Sequence, residues 1–535
     1  MTCCDFTPGR IGGSGMSPEA FIRQLHADSH ESGPPGEEVD WDDKPLPYKL
    51  YRGLPAVPLS SDIPLTLEAK EARETSAEPN LQDIGHFLWY TYGLTQVSHS
   101  LAVPAEKYRR FVPSGGGLYP NELYLYLRTA GMAPGVYHYD AAHHRLVLLR
   151  EGNFDSYLAR ALGNHCDMSS CFGVVLVSAM VWKNAFKYNT FAYRLQGLDS
   201  GVLLGQLLEV AKRFGYTSRV HFRFLDRAVG HLLGLSPRDE NVYAVVPLSA
   251  QHGNAWVDGG SVVPEHTTAD ELCRELPAVR HDHYQCSRTV KELPQLTGMN
   301  EVSALDSLLS VRRFEPVGHA ESGLQSVFLP WAKRLSYDLA AASRARHSPE
   351  SEFVLSPVTM QQLAALLHEA TASFAYCNDL DGVGETPPIR VAIYGCFHHI
   401  EGVPDGAYRY DVSSHALRRA LAGDQRLRLQ QGMTLHNVNL FQVPICLHIA
   451  GEADHLISQL GFRGYRIQQM EAGMLLQRLL LASVALGMGG RPLLGFQAGV
   501  SDELYRMSEH GRTSLVQIPI GCCRPHPKVE MGLHG

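Results

Sequence analysis

No stretch of the chain approaches the roughly 20 consecutive apolar residues that a membrane-crossing helix requires. Basic residues are not in excess either: 47 Lys and Arg face 55 Asp and Glu, a net charge of −8. That balance argues against a polyanion-binding surface, and so against a nucleic-acid partner. No HExxH pattern occurs among the 26 histidines. The 11 cysteines are odd in number, and the adjacent pairs Cys3-Cys4 and Cys522-Cys523 suit neither a disulfide framework nor a metal site. Cys166 with Cys171 is the nearest approach to a ligand pair, with no second pair at finger spacing. The first residues, MTCCDFTPGRIGG, lack the charged-then-apolar order of a secretory signal. These absences predict a cytoplasmic protein with reduced cysteines, no metal and no membrane span.

What is present is enough apolar sequence for more than one core: 44% hydrophobic and 19% charged over 535 residues. Residues 1–45, rich in Gly, Pro, Ser and acids, predict a flexible leader. Residues 256–299 read as a polar linker with a helical turn or two, and 527–535 as a tail. The regions between, 46–255 and 300–526, repeat each other. YRLQGLDSGVLLGQLLEVAKRFGYTSRVHFRF from Tyr193 aligns without a gap to YRIQQMEAGMLLQRLLLASVALGMGGRPLLGF from Tyr465, an offset of 272. Tyr193-Arg194, Asp199, Gly201 and Gly215 thereby match Tyr465-Arg466, Glu471, Gly473 and Gly487. Upstream, GVYHYD from Gly135 matches GAYRYD from Gly406 in the same order.

Each repeat follows one plan. A strand (122–128 or 389–395) precedes the matched turn, and a second apolar strand (172–179 or 443–450) follows it. Next comes a long helix carrying Leu203, Leu204, Leu207, Leu208 and Ala211, or Leu475, Leu476, Leu479 and Leu480, on one stripe. A last strand closes the repeat at 242–248 or 514–520. The mixture predicts an α+β layer fold. A helix this apolar is either a core helix or the interface between the two copies.

Three motifs carry chemistry. Pro113-Ser114-Gly115-Gly116, within RFVPSGGGLYPNE, opens a strand; glycines let backbone N–H groups approach a ligand and serine adds a hydroxyl. Lys187-Tyr188 stands just ahead of the matched Tyr193-Arg194. In the second copy, Arg312-Arg313 offers forked donors for a phosphate, and Arg491-Pro492-Leu493-Leu494-Gly495-Phe496 and Arg524 follow near the end. Together these motifs resemble the nitroreductase superfamily, and within it the SagB-type azoline dehydrogenases. That resemblance implies tandem nitroreductase-like, FMN-binding domains forming an intramolecular pseudo-dimer. It implies that Pro113, Ser114, Gly115 and Gly116 lie against the flavin, that Arg312, Arg313 and Arg524 grip its phosphate, and that Leu494-Gly495 place a backbone N–H near its reactive nitrogen. It makes Lys187 and Tyr188 the catalytic pair, with Lys187 a base in a poorly solvated pocket.

The copies have lost different parts. The first shows Val220-His221-Phe222-Arg223-Phe224 where the second has its Pro-x-x-Gly-Phe turn; the second shows Gln459-Leu460 for Lys187-Tyr188, and CNDLDGVGETPP (377–388) for the glycine loop. One composite site, with the second vestigial, is the expectation. The implied reaction is FMN-dependent oxidation of azoline rings in a ribosomally made peptide to thiazole or oxazole, with molecular oxygen as final acceptor and a cyclodehydratase as companion. An NAD(P)H-dependent nitro- or quinone reductase and a flavin-free scaffold are the alternatives. An insertion near 315–352, with Trp331 and the basic Arg344 and Arg346, either contacts peptide or pads the surface, and surface is the expectation.

Overall fold

A computed structural model describes residues 18–27, 39–68, 78–98, 107–251, 267–284, 325–381, 390–525 and 530–532. The strands of the first half are β1 (Ala56–Pro58), β2 (Leu94–Ser98), β3 (Lys107–Arg110), β4 (Asn121–Leu127), β5 (Gly135–Asp140), β6 (Arg145–Glu151), β7 (Gly173–Met180), β8 (Thr217–Val220) and β9 (Glu240–Ser249). Those of the second are β10 (Ser326–Phe328), β11 (Phe353–Val354), β12 (Cys377–Asn378), β13 (Ala392–Phe397), β14 (Gly406–Asp411), β15 (Ala416–Ala422), β16 (Ile445–Glu452), β17 (Gly489–Gly490), β18 (Arg512–Cys523) and β19 (Glu530–Gly532). One sheet runs β1-β6-β5-β4-β7-β9-β8-β12, the other β10-β15-β14-β13-β16-β18-β11 with β17 on β18. The matched sequence segments therefore occupy matched places in two sheets of one design, each flanked by helices: an α+β fold.

Both faces of the first sheet are covered, as its sequence requires. In β4, Leu123, Leu125 and Leu127 enter the main core while Tyr124 and Tyr126 enter a second core on the opposite face, the period of two that a strand imposes. The main core runs without interruption into the second half, through two long helices, Ala192–Phe214 and Phe462–Ala485.

These helices cross with pseudo-twofold reciprocity. A Cβ on Gly201 would collide with the Met470 carbonyl, and one on Gly473 with the Leu198 carbonyl, so only glycine permits the approach. Tyr193 and Tyr465 stack at the crossing, ring centroids 5.8 Å apart and planes 11° apart. Each helix also reaches the closing strand of the other half: Arg194 donates to Leu515 O (2.8 Å) and Arg466 to Val242 O (3.3 Å). The apolar helix is thus core and interface at once.

Chain ends and connections also cross between the halves. β12 extends the first sheet in parallel beside β8, and β19, expected in a tail, pairs with β2. Residues 18–27, expected within a flexible leader, form a helix that buries Ile22 and Leu25, with His26 Nε2 hydrogen-bonded to Thr513 Oγ1 (2.9 Å). In the expected linker, the helix Ala269–Glu275 starts with a Thr268/Glu271 capping box and buries Leu272 in the second core of the first half. Among the described residues no helix is long and apolar enough to cross a membrane, and no cluster of His, Cys, Asp and Glu is disposed to hold a metal.

Candidate functional site

Strand β3 leads into the buried Phe111, Val112 and Pro113; the chain then turns through Gly115–Gly117, whose tip is exposed. Asp199, on the first long helix, holds this loop. Its carboxylate accepts the Ser114 hydroxyl (2.6 Å) and the Gly115 N–H (3.1 Å), and Tyr119 N–H donates to Ser114 Oγ (2.9 Å). Ser114, expected to lie against a flavin, staples the loop through its hydroxyl. Burial pushes the Asp199 carboxyl up to about 7, against the pull of the Ser114 and Gly115 donors.

Gly116 adopts φ +62°, and a Cβ there would strike the Tyr188 hydroxyl. The loop and the Lys-Tyr motif are therefore in contact. Tyr188 ends the helix Trp182–Tyr188, which starts directly after β7. Lys187 Nζ lies 4.8 Å from the Tyr188 ring centroid and 6.0 Å from that of Trp41. Lys187 is only half-buried, which corrects the expectation of a poorly solvated pocket around it.

The dry lysine is Lys183, one turn earlier. Its Nζ meets Glu122 Oε1 (2.8 Å), Tyr119 O (3.2 Å) and Pro47 O (3.2 Å), and burial lowers its pKa against the pull of Glu122. Burial alone would raise the Glu122 carboxyl, but Lys183, His138 and Arg110 hold it well below the ordinary range. This network ties the helix bearing Lys187 and Tyr188 to the strand after the glycine loop. Nothing in the local sequence around Lys183 distinguishes it from Lys187; burial does.

The second half supplies the facing elements. β17 pairs with β18 and Leu493 bridges to Gln517, which buries Leu494 and Gly495. Among the described residues neither of their N–H groups has an acceptor. Residues 346–352 connect this turn to the glycine-loop strand. Arg346 Nε donates to Phe111 O (3.2 Å) and Arg109 Nη2 to Arg346 O (2.5 Å); beyond them Arg491 Nη1 donates to Ser348 O (3.0 Å) and Arg524 N–H to Glu352 O (2.9 Å).

Arg346, expected on a surface insertion, is 3% exposed, while Trp331 is indeed on the surface. No carboxylate pairs with Arg346 among the described residues, and its Nη1 lacks an acceptor there. Burial, then the neighbouring Arg109, pulls its pKa down to about 10. A buried guanidinium without an acid is costly unless an anion meets it. Arg312 and Arg313 lie outside the described residues, and the Arg524 side chain is exposed.

The corresponding corner, on the other side of the pseudo-twofold, is closed by protein. Phe222 and Arg223, counterparts of Leu494 and Gly495, donate their N–H groups to the Asp379 carboxylate (3.0 and 2.8 Å). Asp379 is buried and also accepts from the Arg223 guanidinium through its carbonyl. Glu471, the counterpart of Asp199, accepts from Arg390 (2.8 Å) and Tyr376 (2.8 Å) rather than from a glycine loop.

No family model matches the chain. It is 26% identical over 173 residues to MJ1384 of Methanocaldococcus jannaschii, a protein assigned to the nitroreductases; the match covers 32% of this chain and 84% of that one. It is 27% identical over 209 residues to the trifolitoxin-processing protein TfxB of Rhizobium leguminosarum bv. trifolii, covering 36% of this chain and 55% of that one. In structure it is similar to a protein of Anabaena variabilis likewise assigned to the nitroreductases, with TM-score 0.73 and 23% identity, over 95% of this chain and 100% of that one. The chain accordingly has a nitroreductase-like α+β fold, and one of its sequence relatives is itself assigned to the nitroreductases.

Proposed function

We propose that the chain is an internal pseudo-dimer with one FMN site, and that it oxidises azoline rings in a ribosomally made peptide. The observation that carries the reading is the contrast between two buried turns. Leu494 and Gly495 present backbone N–H groups that no described residue takes up, whereas Asp379 occupies the same positions at Phe222 and Arg223. The unsatisfied side is also the side with the glycine loop, the Lys187-Tyr188 pair and the acid-free Arg346. Donors of this kind fit a flavin: N–H groups for its ring and guanidinium groups for its phosphate.

In this reading Arg346, Arg109 and Arg491, together with the expected Arg312, Arg313 and Arg524, hold the phosphate. Pro113, Ser114, Gly115 and Gly116 shape one wall, and Leu494 with Gly495 the other. FMN held there would supply the acceptor for the hydride equivalent of the ring. The chain's own contribution is the proton: Lys187 and Tyr188 remove it from the ring carbon, with Tyr188 fixed by its contact with Gly116 and Lys187 borne on the helix that Lys183 anchors. Similarity to TfxB, a toxin-processing protein, supports a peptide substrate, and a cyclodehydratase is the companion that supplies the rings.

The test is the visible spectrum after loading with FMN and removing excess, followed by turnover of an azoline-containing peptide under oxygen. One flavin per chain with peptide oxidation is expected. Two flavins per chain reject the single site. A flavin bleached readily by NAD(P)H, with no peptide oxidation, replaces the reading with a reductase, to which the likeness to MJ1384 gives some weight. A colourless protein leaves the scaffold.

A further inference from the structure

Cys166 and Cys171, the pair that stood out by spacing, lie side by side. Their sulfurs are 3.9 Å apart. Both are buried, yet they belong to a surface loop in which His165 and Ser169 are exposed. The loop is held in shape by Asp167, which accepts the Ser169 N–H (3.0 Å), and by Arg128, which donates to the carbonyls of Met168 and Cys171. Beside Cys166 stand two basic groups from the next part of the fold, Arg219 and His221. His221 is fully buried and 3.8 Å from Asp379 Oδ2, and its ring nitrogens have no conventional hydrogen-bond partner among the described residues.

We propose that Cys166 and Cys171 form a redox-active dithiol, oxidised by a peroxide at Cys166 and resolved to a disulfide by Cys171. The Cys166 thiolate attacks one peroxide oxygen; the O–O bond breaks, leaving a sulfenic acid and a hydroxide that takes a proton to become water. The Cys171 sulfur then attacks the Cys166 sulfur, and the departing hydroxide leaves as a second water. Two thiols and one hydrogen peroxide give one disulfide and two waters, the two protons coming from the thiols.

The protein contains its own control. Cys396 and Cys446 face each other across β13 and β16 and are equally buried, with the Tyr505 hydroxyl 3.3 Å from Cys396 Sγ. Burial pushes the Cys396 thiol up to about 12 and raises that of Cys446 well above the ordinary thiol range. At Cys166 the hydrogen bond from the Cys171 thiol, then His221 and Arg219, outweigh burial and pull the thiol down. Proximity alone therefore does not separate the two pairs; local charge does.

The experiment is a hydrogen peroxide titration of the full-length protein, with alkylation under denaturing conditions and peptide mapping by mass spectrometry. A Cys166–Cys171 disulfide is expected at least tenfold faster than any oxidation of Cys396 or Cys446. In Cys171→Ser the product becomes a Cys166 sulfenic acid, trapped as its dimedone adduct. Equal rates at the two pairs, or Cys166 still fully alkylated when Cys396 is oxidised, overturn the proposal. The wild-type map decides even if the variant does not fold.

Discussion

Two turns at matched positions of the two halves present their backbone N–H groups to different environments. At Phe222 and Arg223 a buried carboxylate from the opposite half, Asp379, has been brought in to meet them; at Leu494 and Gly495 nothing among the described residues does so. Buried N–H groups are rarely left unmet. The difference teaches that two copies of one fold can meet the same backbone donors in different ways, and on the proposed function the copy left unsatisfied is the one that takes the ligand.

The largest expected break in this comparison is chemical. Lys187→Met together with Tyr188→Phe is expected to lower peptide oxidation by about 10²–10⁴-fold with flavin absorbance retained. Replacing the counterpart Leu460 by Met should leave turnover unchanged. Steady-state kinetics on flavin-loaded protein distinguish the two.

Next is the plug. Asp379→Ala strands two buried N–H groups and is expected to cost about 2–4 kcal/mol of stability, read by denaturant unfolding. Flavin stoichiometry should stay at one; a second equivalent would show that Asp379 alone closes the other corner.

Arg346→Gln sharpens the comparison from the other side. Loss of a charge-assisted contact to phosphate is expected to weaken FMN binding by about 30–100-fold, measured by flavin fluorescence titration. Stability of the flavin-free protein should not fall, because an unpaired buried charge has been removed.

The smallest effect is a pH slope. The folded-state pKa of Asp199, about 7, lies above that of an unfolded aspartate. The folded protein therefore binds the extra proton, and the contribution of this carboxyl to stability falls as pH rises through the window below 7 and levels off above it. Between pH 6 and 8 the stability of wild type relative to Asp199→Asn should fall by about 1.4 kcal/mol, the difference cancelling the titrations that the two proteins share.

Much of the architecture was legible because it rests on periodicity and repetition. The offset between Tyr193 and Tyr465 predicted two repeats of one plan, and 122–128 read as a strand; that the repeats form two sheets, and that this strand is buried on both faces, came from the structure. The candidate site was legible only in part. Gly116 and Tyr188 are separated by a sheet in the sequence, and a motif reading placed them together only through resemblance. Arg346 was misjudged because a lone arginine in a polar segment looks the same whether it is solvated or buried. Lys183 was passed over for Lys187 because helical spacing gives two lysines four residues apart the same face but not the same depth. Asp379 carried no signal, since its partners are backbone groups 157 and 156 residues earlier.

By itself, the sequence determined the repeat, with its matched glycines at positions 201 and 473, and the α+β alternation, because these follow from residue-by-residue correspondence and local periodicity. Only the tertiary structure decided which charges are dry and which N–H groups are met. Those properties belong to the packing of the two halves against each other: the same carboxylate or guanidinium is cheap in water and costly in a core, and nothing along the chain states which it will meet.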